Sequence, residues 1–177
     1  MQGLTLAVAT ILAGSVLSAD ASAGGPSAAG PLRPVGDRAT TLLARGRGES
    51  TTFCELVTRL DTSDLIIYIT VDPFWEGPFP STLRFVTESG GRRYVRISLT
   101  ARDTNTKLIP WLGHELQHAV EVAEHADITS PESLAKYFAV YETSVSHGAY
   151  ESAAAVSVQG RIAVELGRRP PLAGQRY

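Results

Sequence analysis

His114, Glu115 and His118 stand in the order H-E-x-x-H within a stretch whose apolar spacing predicts a helix. Histidines four apart share one helix face, separated by about 40° around the axis. Their imidazoles can hold one Zn²⁺ between them at about 2.0–2.1 Å. Glu115 is turned about 100° from His114. There its carboxylate can act on water at the metal without filling a coordination position. The chemistry predicted is zinc-assisted hydrolysis, in which the metal acidifies water and the carboxylate takes the proton. The whole chain holds only four histidines, so this spacing is informative.

The helix around the motif is two-faced. With His114 at zero, Leu112, Leu116, Ala119, Val120 and Ala123 fall between about 140° and 240°. His114, His118, Glu121 and His125 fall within about 60° of one another on the other side. One face packs and the other presents ligands; the competing reading is a solvated polar face. Pro110 fits best if the regular helix starts near position 108, with proline in the first turn, where an N–H is not needed.

A catalytic zinc site takes three protein ligands and one open position. The motif supplies two. The H-E-x-x-H helix resembles that of the zincin metallopeptidases. In the metzincin branch the motif continues x-x-G-x-x-H/D. Here Glu121 occupies the glycine position and Glu124 the ligand position, and a glutamate gives no such turn. The gluzincin-like branch takes its third ligand from a later helix, and that resemblance implies Glu151, which follows His118 by 33 residues. Glu142, His147, Glu121 and His125 remain as other candidates. His125 lies about 10 Å along the axis from His118, too far to reach the same ion from an unbroken helix. Glu121 projects beside His118, where it orients a histidine or faces solvent. Tyr150, Tyr141 and His147 can donate to an oxyanion; aromatic packing or exposure is the plainer reading.

More narrowly, residues 112–123 together with Tyr150-Glu151 resemble a group of small exported bacterial proteins. These share a G-H-E-L-Q-H-A-x-E core and a later Tyr-Glu-Thr/Ser, across about residues 35–167 of this chain. That narrower resemblance supports the zincin reading and adds little on function; the zincin resemblance implies a zinc metallopeptidase acting on a peptide or protein substrate, with Zn²⁺ on His114, His118 and Glu151 and with Glu115 as general base. Two other readings stand beside it. One is a zinc- or partner-binding protein on the same scaffold without catalysis. The other is a metal-free helical domain in which the motif is accidental.

The elements that must position these residues are legible in outline. Residues 38–44 and 50–60 read as helices, with 53, 56, 57 and 60 forming one packing face. Residues 65–71 are β-branched and aromatic, a buried strand. Residues 82–87 and 93–99 flank Ser89-Gly90-Gly91 and read as a hairpin. The second of these strands is expected to pair with extended substrate at its edge. After the motif helix, 106–125, Ser130 and Pro131 start another helix that runs to 142. A last helix covers 150–166. The expected class is α+β: a small antiparallel or mixed sheet of about three strands, packed on the motif helix and covered by C-terminal helices.

The 177 residues carry a net charge of −2 and 44% apolar content. They fit one domain with no basic field for nucleic acid. Residues 1–23 read as a signal peptide: an uncharged apolar run over 4–17, then Ala21-Ser22-Ala23 as an A-x-A cleavage site. No Lys or Arg precedes Arg33, so an N-terminal membrane anchor is the alternative to export into the periplasm or medium. Either way no membrane span is expected in the chain after residue 23. Residues 24–36 read as a Gly/Pro/Ala tether, 37–168 as the metal-binding domain and 169–177 as a disordered tail. Cys54 is the only cysteine, so no internal disulfide can form, and its place among apolar neighbours reads as packing.

Overall fold

A computed structural model describes residues 30–140 and 151–167. The expected signal peptide and the C-terminal tail lie outside the described residues, as do Tyr141, Glu142, His147 and Tyr150. The elements run β1 (Leu32–Pro34), α1 (Asp37–Glu49), α2 (Thr51–Asp61), β2 (Leu65–Asp72), β3 (Ser81–Ser89), β4 (Arg92–Thr100), α3 (Asn105–Glu124), α4 (Pro131–Ala139) and α5 (Ala153–Glu165). This is an α+β fold.

The sheet has four strands in the order β1-β2-β4-β3. The strand beyond the expected three is β1, which lies within the segment read as a tether and pairs with β2 in parallel, Leu32 opposite Ile67. Three residues give too little alternation to register as a strand in sequence. β2 and β4 are also parallel, whereas β3 runs antiparallel to β4 and occupies the sheet edge. The β3–β4 turn is Gly90-Gly91, both at positive φ (59° and 69°), the backbone that tight hairpins demand. β4 is therefore an interior strand. Its backbone groups are used on both sides, and the expectation that it pairs with substrate is corrected: the free edge near the motif belongs to β3.

One sheet face is apolar. Leu65, Ile67 and Ile69 of β2 and Val95, Ile97 and Leu99 of β4 are fully buried. Their alternates Tyr68 and Arg96 are exposed, so β2 is buried on one face rather than two. Helix α3 lies across the apolar face, touching β2, β3 and β4, with α1, α2 and α5 packed on its other sides. The helix is consequently buried nearly all round, from Leu108 to Val122.

Pro110 falls inside α3 rather than in its first turn, because the helix begins at Asn105. Its missing N–H leaves the Thr106 carbonyl without its usual partner, and Thr106 is only half-buried. The earlier turns are held by Lys107 and Leu108 amides donating to the Thr104 carbonyl. Helix α1, expected over 38–44, runs on to Glu49, and α5 starts later than the expected 150, whereas the starts of α2 and α4 follow the sequence. Ser50 caps α2 by accepting from the Phe53 amide, and Ser130 caps α4 with Pro131 in first position. Helix α5 starts at Ala153, capped by Ser152, whose hydroxyl accepts from the Ala155 amide. Among the described residues no helix is long and apolar enough to cross a membrane.

Candidate functional site

α3 carries the motif under cover. His114, Glu115, Gln117, His118 and Glu121 are all buried, at 3–8% exposure. A solvated polar face would leave them open, so that reading fails. What covers them is α5 on one side, β3 on another and Phe138 of α4, whose ring meets His118 edge-on at 4.9 Å. The closest helix approach is at Gly113: a Cβ there would lie 2.1 Å from Ile162 Cδ1 of α5. The glycine before the motif thus lets α5 lie directly on α3.

The two imidazoles converge. His114 Nε2 and His118 Nε2 are 3.1 Å apart. The far nitrogen of each ring is already engaged. His118 Nδ1 lies 2.8 Å from Glu121 Oε2, a carboxylate that can only accept, so Nδ1 carries the proton. His114 Nδ1 lies 3.2 Å from Gln159 Oε1 of α5, again an acceptor. Neutral rings in these tautomers direct two bare lone pairs at the same point. A metal ion bound by both nitrogens satisfies that contact, and so does a proton shared between them, as when the Gln159 amide is turned and His114 carries its proton on Nε2. Two nitrogens bound to one ion at about 2.0–2.1 Å would stand at a comparable separation.

Glu121 is itself anchored. It accepts from Ser152 Oγ at 2.6 Å and from Gln117 Nε2 at 3.4 Å. Burial pushes its carboxyl up, but the bonds from His118 and Ser152 outweigh that and leave it below the usual range. His114 is pushed down to about 3, first by burial and then by the neighbouring His118. Glu115 goes the other way: burial raises it, against the pull of His118 and of the Ser81 hydroxyl.

Glu115 points at β3. Ser81 Oγ donates to its Oε1 at 2.7 Å, and the Leu83 backbone amide donates to the same carboxylate. The ladder explains the second contact. The Thr100 amide donates to the Pro80 carbonyl at 2.8 Å, which fixes the alternation. The backbone groups of Thr82 and Arg84 then face β4, while those of Ser81, Leu83 and Phe85 face the open edge. Glu115 uses one outward amide of that edge.

Glu151 stands just ahead of α5, with Oε1 4.0 Å from His114 Nε2 and its side chain 43% exposed. It faces the histidine pair without touching it. Among the described residues no three His, Cys, Asp or Glu side chains close into a complete metal cage as they stand. His125 is turned away, its ring 4.4 Å from Tyr137. Glu124 pairs with Arg59 on the surface and takes no part in the site.

A cleft of ≈ 430 Å³ opens over these groups, lined by Ser81, His114, Glu115, His118 and Glu151 among others. Three side chains of the site escaped the sequence reading: Ser81, Ser152 and Gln159. A signal for two of them exists. Positions 152, 155, 159 and 162 recur at helical spacing on one side of α5, and that side meets α3. Ser81 has no such signal, because its role depends on the sheet order.

Comparison of this chain with protein-family models, with curated proteins and with solved structures gives no match. The site must be judged on its own geometry.

Proposed function

We propose that the protein is a metal-dependent hydrolase of peptide bonds, with His114, His118 and Glu151 as metal ligands, Glu115 as general base and zinc as the ion. The observation that carries it is the pair of Nε2 atoms converging to 3.1 Å while both Nδ1 atoms are engaged from behind, by Glu121 and by Gln159. A shared proton would satisfy that contact as well. It would leave the cleft above the pair without a role. The donor set, two imidazoles and a carboxylate, suits zinc and leaves a position open.

Zinc bound there would acidify a water and polarise a carbonyl. The remaining work falls to the chain. Glu115 takes the proton from the attacking water and hands it to the leaving amine. Ser81 and the Leu83 amide hold its carboxylate in place through the β3 edge. Further along that edge Phe85 offers outward backbone groups, at which an extended peptide can pair. Glu121 and Gln159 hold the rings so that their lone pairs stay aimed. Export after cleavage near Ala23 belongs to the same proposal and rests on the N-terminal sequence alone.

The deciding experiment is metal content of the purified protein by plasma mass spectrometry, with His118→Ala, Glu151→Ala and Glu115→Gln beside it. The expected result is about one zinc per chain, lost in the first two variants and kept in the third, with turnover lost only in that third among metal-loaded proteins. Zinc retained by Glu151→Ala would move the third ligand elsewhere. No zinc in the parent protein would leave the shared-proton arrangement and sink the hydrolase reading. Zinc without any turnover would favour a binding protein on this scaffold.

A further inference from the structure

The walls of the cleft differ in character from its floor. The floor is polar: the two histidines, Glu115 and Glu151. The walls are aromatic. Trp111 sits one turn ahead of His114 on α3, its ring 5.6 Å from that imidazole. Phe138 abuts the other imidazole at 4.9 Å, with Leu134 beside it on α4. Aromatic rings therefore stand next to both histidines, one at each. The loop before β3 contributes Trp75 and Phe79 to the same cleft.

That loop is built, not merely apolar. Trp75 Nε1 donates to the Phe79 carbonyl at 2.6 Å, which ties the two aromatic residues together. Gly77 between them lets the chain fold onto the indole; a Cβ there would lie 2.6 Å from the ring. Phe138 and Leu134 are buried and form the back of the wall, whereas Trp75, Phe79 and Trp111 are half-buried and leave area for a ligand to cover.

We infer that the cleft takes a peptide bearing a bulky apolar side chain, aromatic or large aliphatic, next to the bond over the histidine pair. This rests on the hydrolase reading for its chemistry, but the ligand class rests on the walls. An apolar side chain seated between Trp111 and the Trp75–Phe79 loop is removed from water, and its main chain is left beside the outward groups of β3. A glycine or aspartate at that place leaves the rings wet.

The test uses quenched fluorogenic octapeptides, varied at the residues flanking the central bond, with the full-length protein loaded with one equivalent of zinc. Binding of the same peptides to zinc-loaded Glu115→Gln is measured in parallel. The expected kcat/KM for Phe, Trp or Leu beside the bond exceeds that for Gly or Asp by about tenfold or more. Trp111→Ala and Trp75→Ala should each cut that ratio, measured within each variant, by about fivefold. Rates that ignore the flanking residue, or favour Asp, overturn the inference and leave the hydrolase reading standing. No cleavage of any peptide, with Phe and Leu peptides still bound in preference to Gly and Asp, removes the hydrolase reading and keeps the ligand class. Neither cleavage nor selective binding overturns both.

Discussion

At the scale of single residues, the site is a set of lone pairs held in register by groups that never touch a substrate. His118 depends on Glu121, and Glu121 on Ser152 and Gln117. His114 depends on Gln159. Groups of this kind fix ring orientation and tautomer, and losing one costs about 10–100-fold in metal affinity. Gln159→Leu is similar in size and removes the acceptor, so zinc affinity should fall by about tenfold while thermal stability changes little. Glu121→Ala should weaken zinc by about 100-fold, with Glu121→Gln recovering part of the loss because an amide oxygen still accepts from Nδ1. Competition titration against a chromophoric chelator reads both. Equal affinities in parent and Gln159→Leu would mean that the ring is held by packing alone. Ser152→Ala should show a smaller drop, since it acts on His118 only through Glu121.

At the scale of elements, helix α5 sits at the centre of the arrangement. Glu151 and Ser152 lie at its start and Gln159 in its middle, so one element bears on both histidines. Its far end is fixed too: Glu165 accepts from the Ser50 and Thr52 hydroxyls, tying α5 to the start of α2. Gly113 sets the spacing between α5 and α3. Gly113→Ala introduces a Cβ that would meet Ile162 Cδ1 at 2.1 Å. Alanine is the better helix former by about 1 kcal/mol, but overpacking costs about 1–3 kcal/mol, so the variant should be less stable by denaturant unfolding. It should also bind zinc less tightly, because a displaced α5 carries Glu151, Ser152 and Gln159 with it. Adding Ile162→Val should recover part of both losses; a double variant no better than Gly113→Ala would place the clash elsewhere. The sequence disclosed the motif helix, the capping serines and the hairpin, because each is set by neighbours within a few residues. It did not disclose β1, the edge position of β3, or the part played by Ser81 and Gln159. Those follow from which strands and helices come to lie side by side; spacing puts Gln159 on one face of its helix but does not say what that face meets. Glu151 is the intermediate case: the resemblance pointed to it, and the structure sets it 4.0 Å from His114.

At the scale of the molecule, a buried polar helix face needs a rigid frame, and Arg93 supplies much of it. This arginine on β4 is only 3% exposed, although its position in the sequence alternates like any sheet residue. Its guanidinium grips Asp64 with two bonds of 2.7 Å and also donates to the carbonyls of Val122, His125 and Ile128. The sheet thereby holds the C-terminal end of α3, where carbonyls lack helical partners and positive charge is favoured. Arg93→Leu leaves those carbonyls and Asp64 without their donor, and should cost about 3 kcal/mol in unfolding free energy. The same pair predicts a pH dependence. Asp64 is held below the usual carboxylate range by its hydrogen bonds to Arg93, which outweigh the opposing effect of burial, with that arginine's charge adding a smaller pull. The unfolded chain therefore takes up this proton more readily than the folded one. The pair's contribution is complete above the unfolded value of about 4 and declines as pH falls through the lower folded value. Because Asp64 is 42% exposed, solvent screens the effect and the change in slope should be modest. Unfolding followed from pH 6 down to about pH 2 should show parent and Arg93→Leu drawing closer in acid without meeting, since protonation of Asp64 removes in the parent only the ion-pair part of what the substitution removes at neutral pH. Parallel curves would mean that the carbonyl contacts, rather than the ion pair, hold α3 to the sheet.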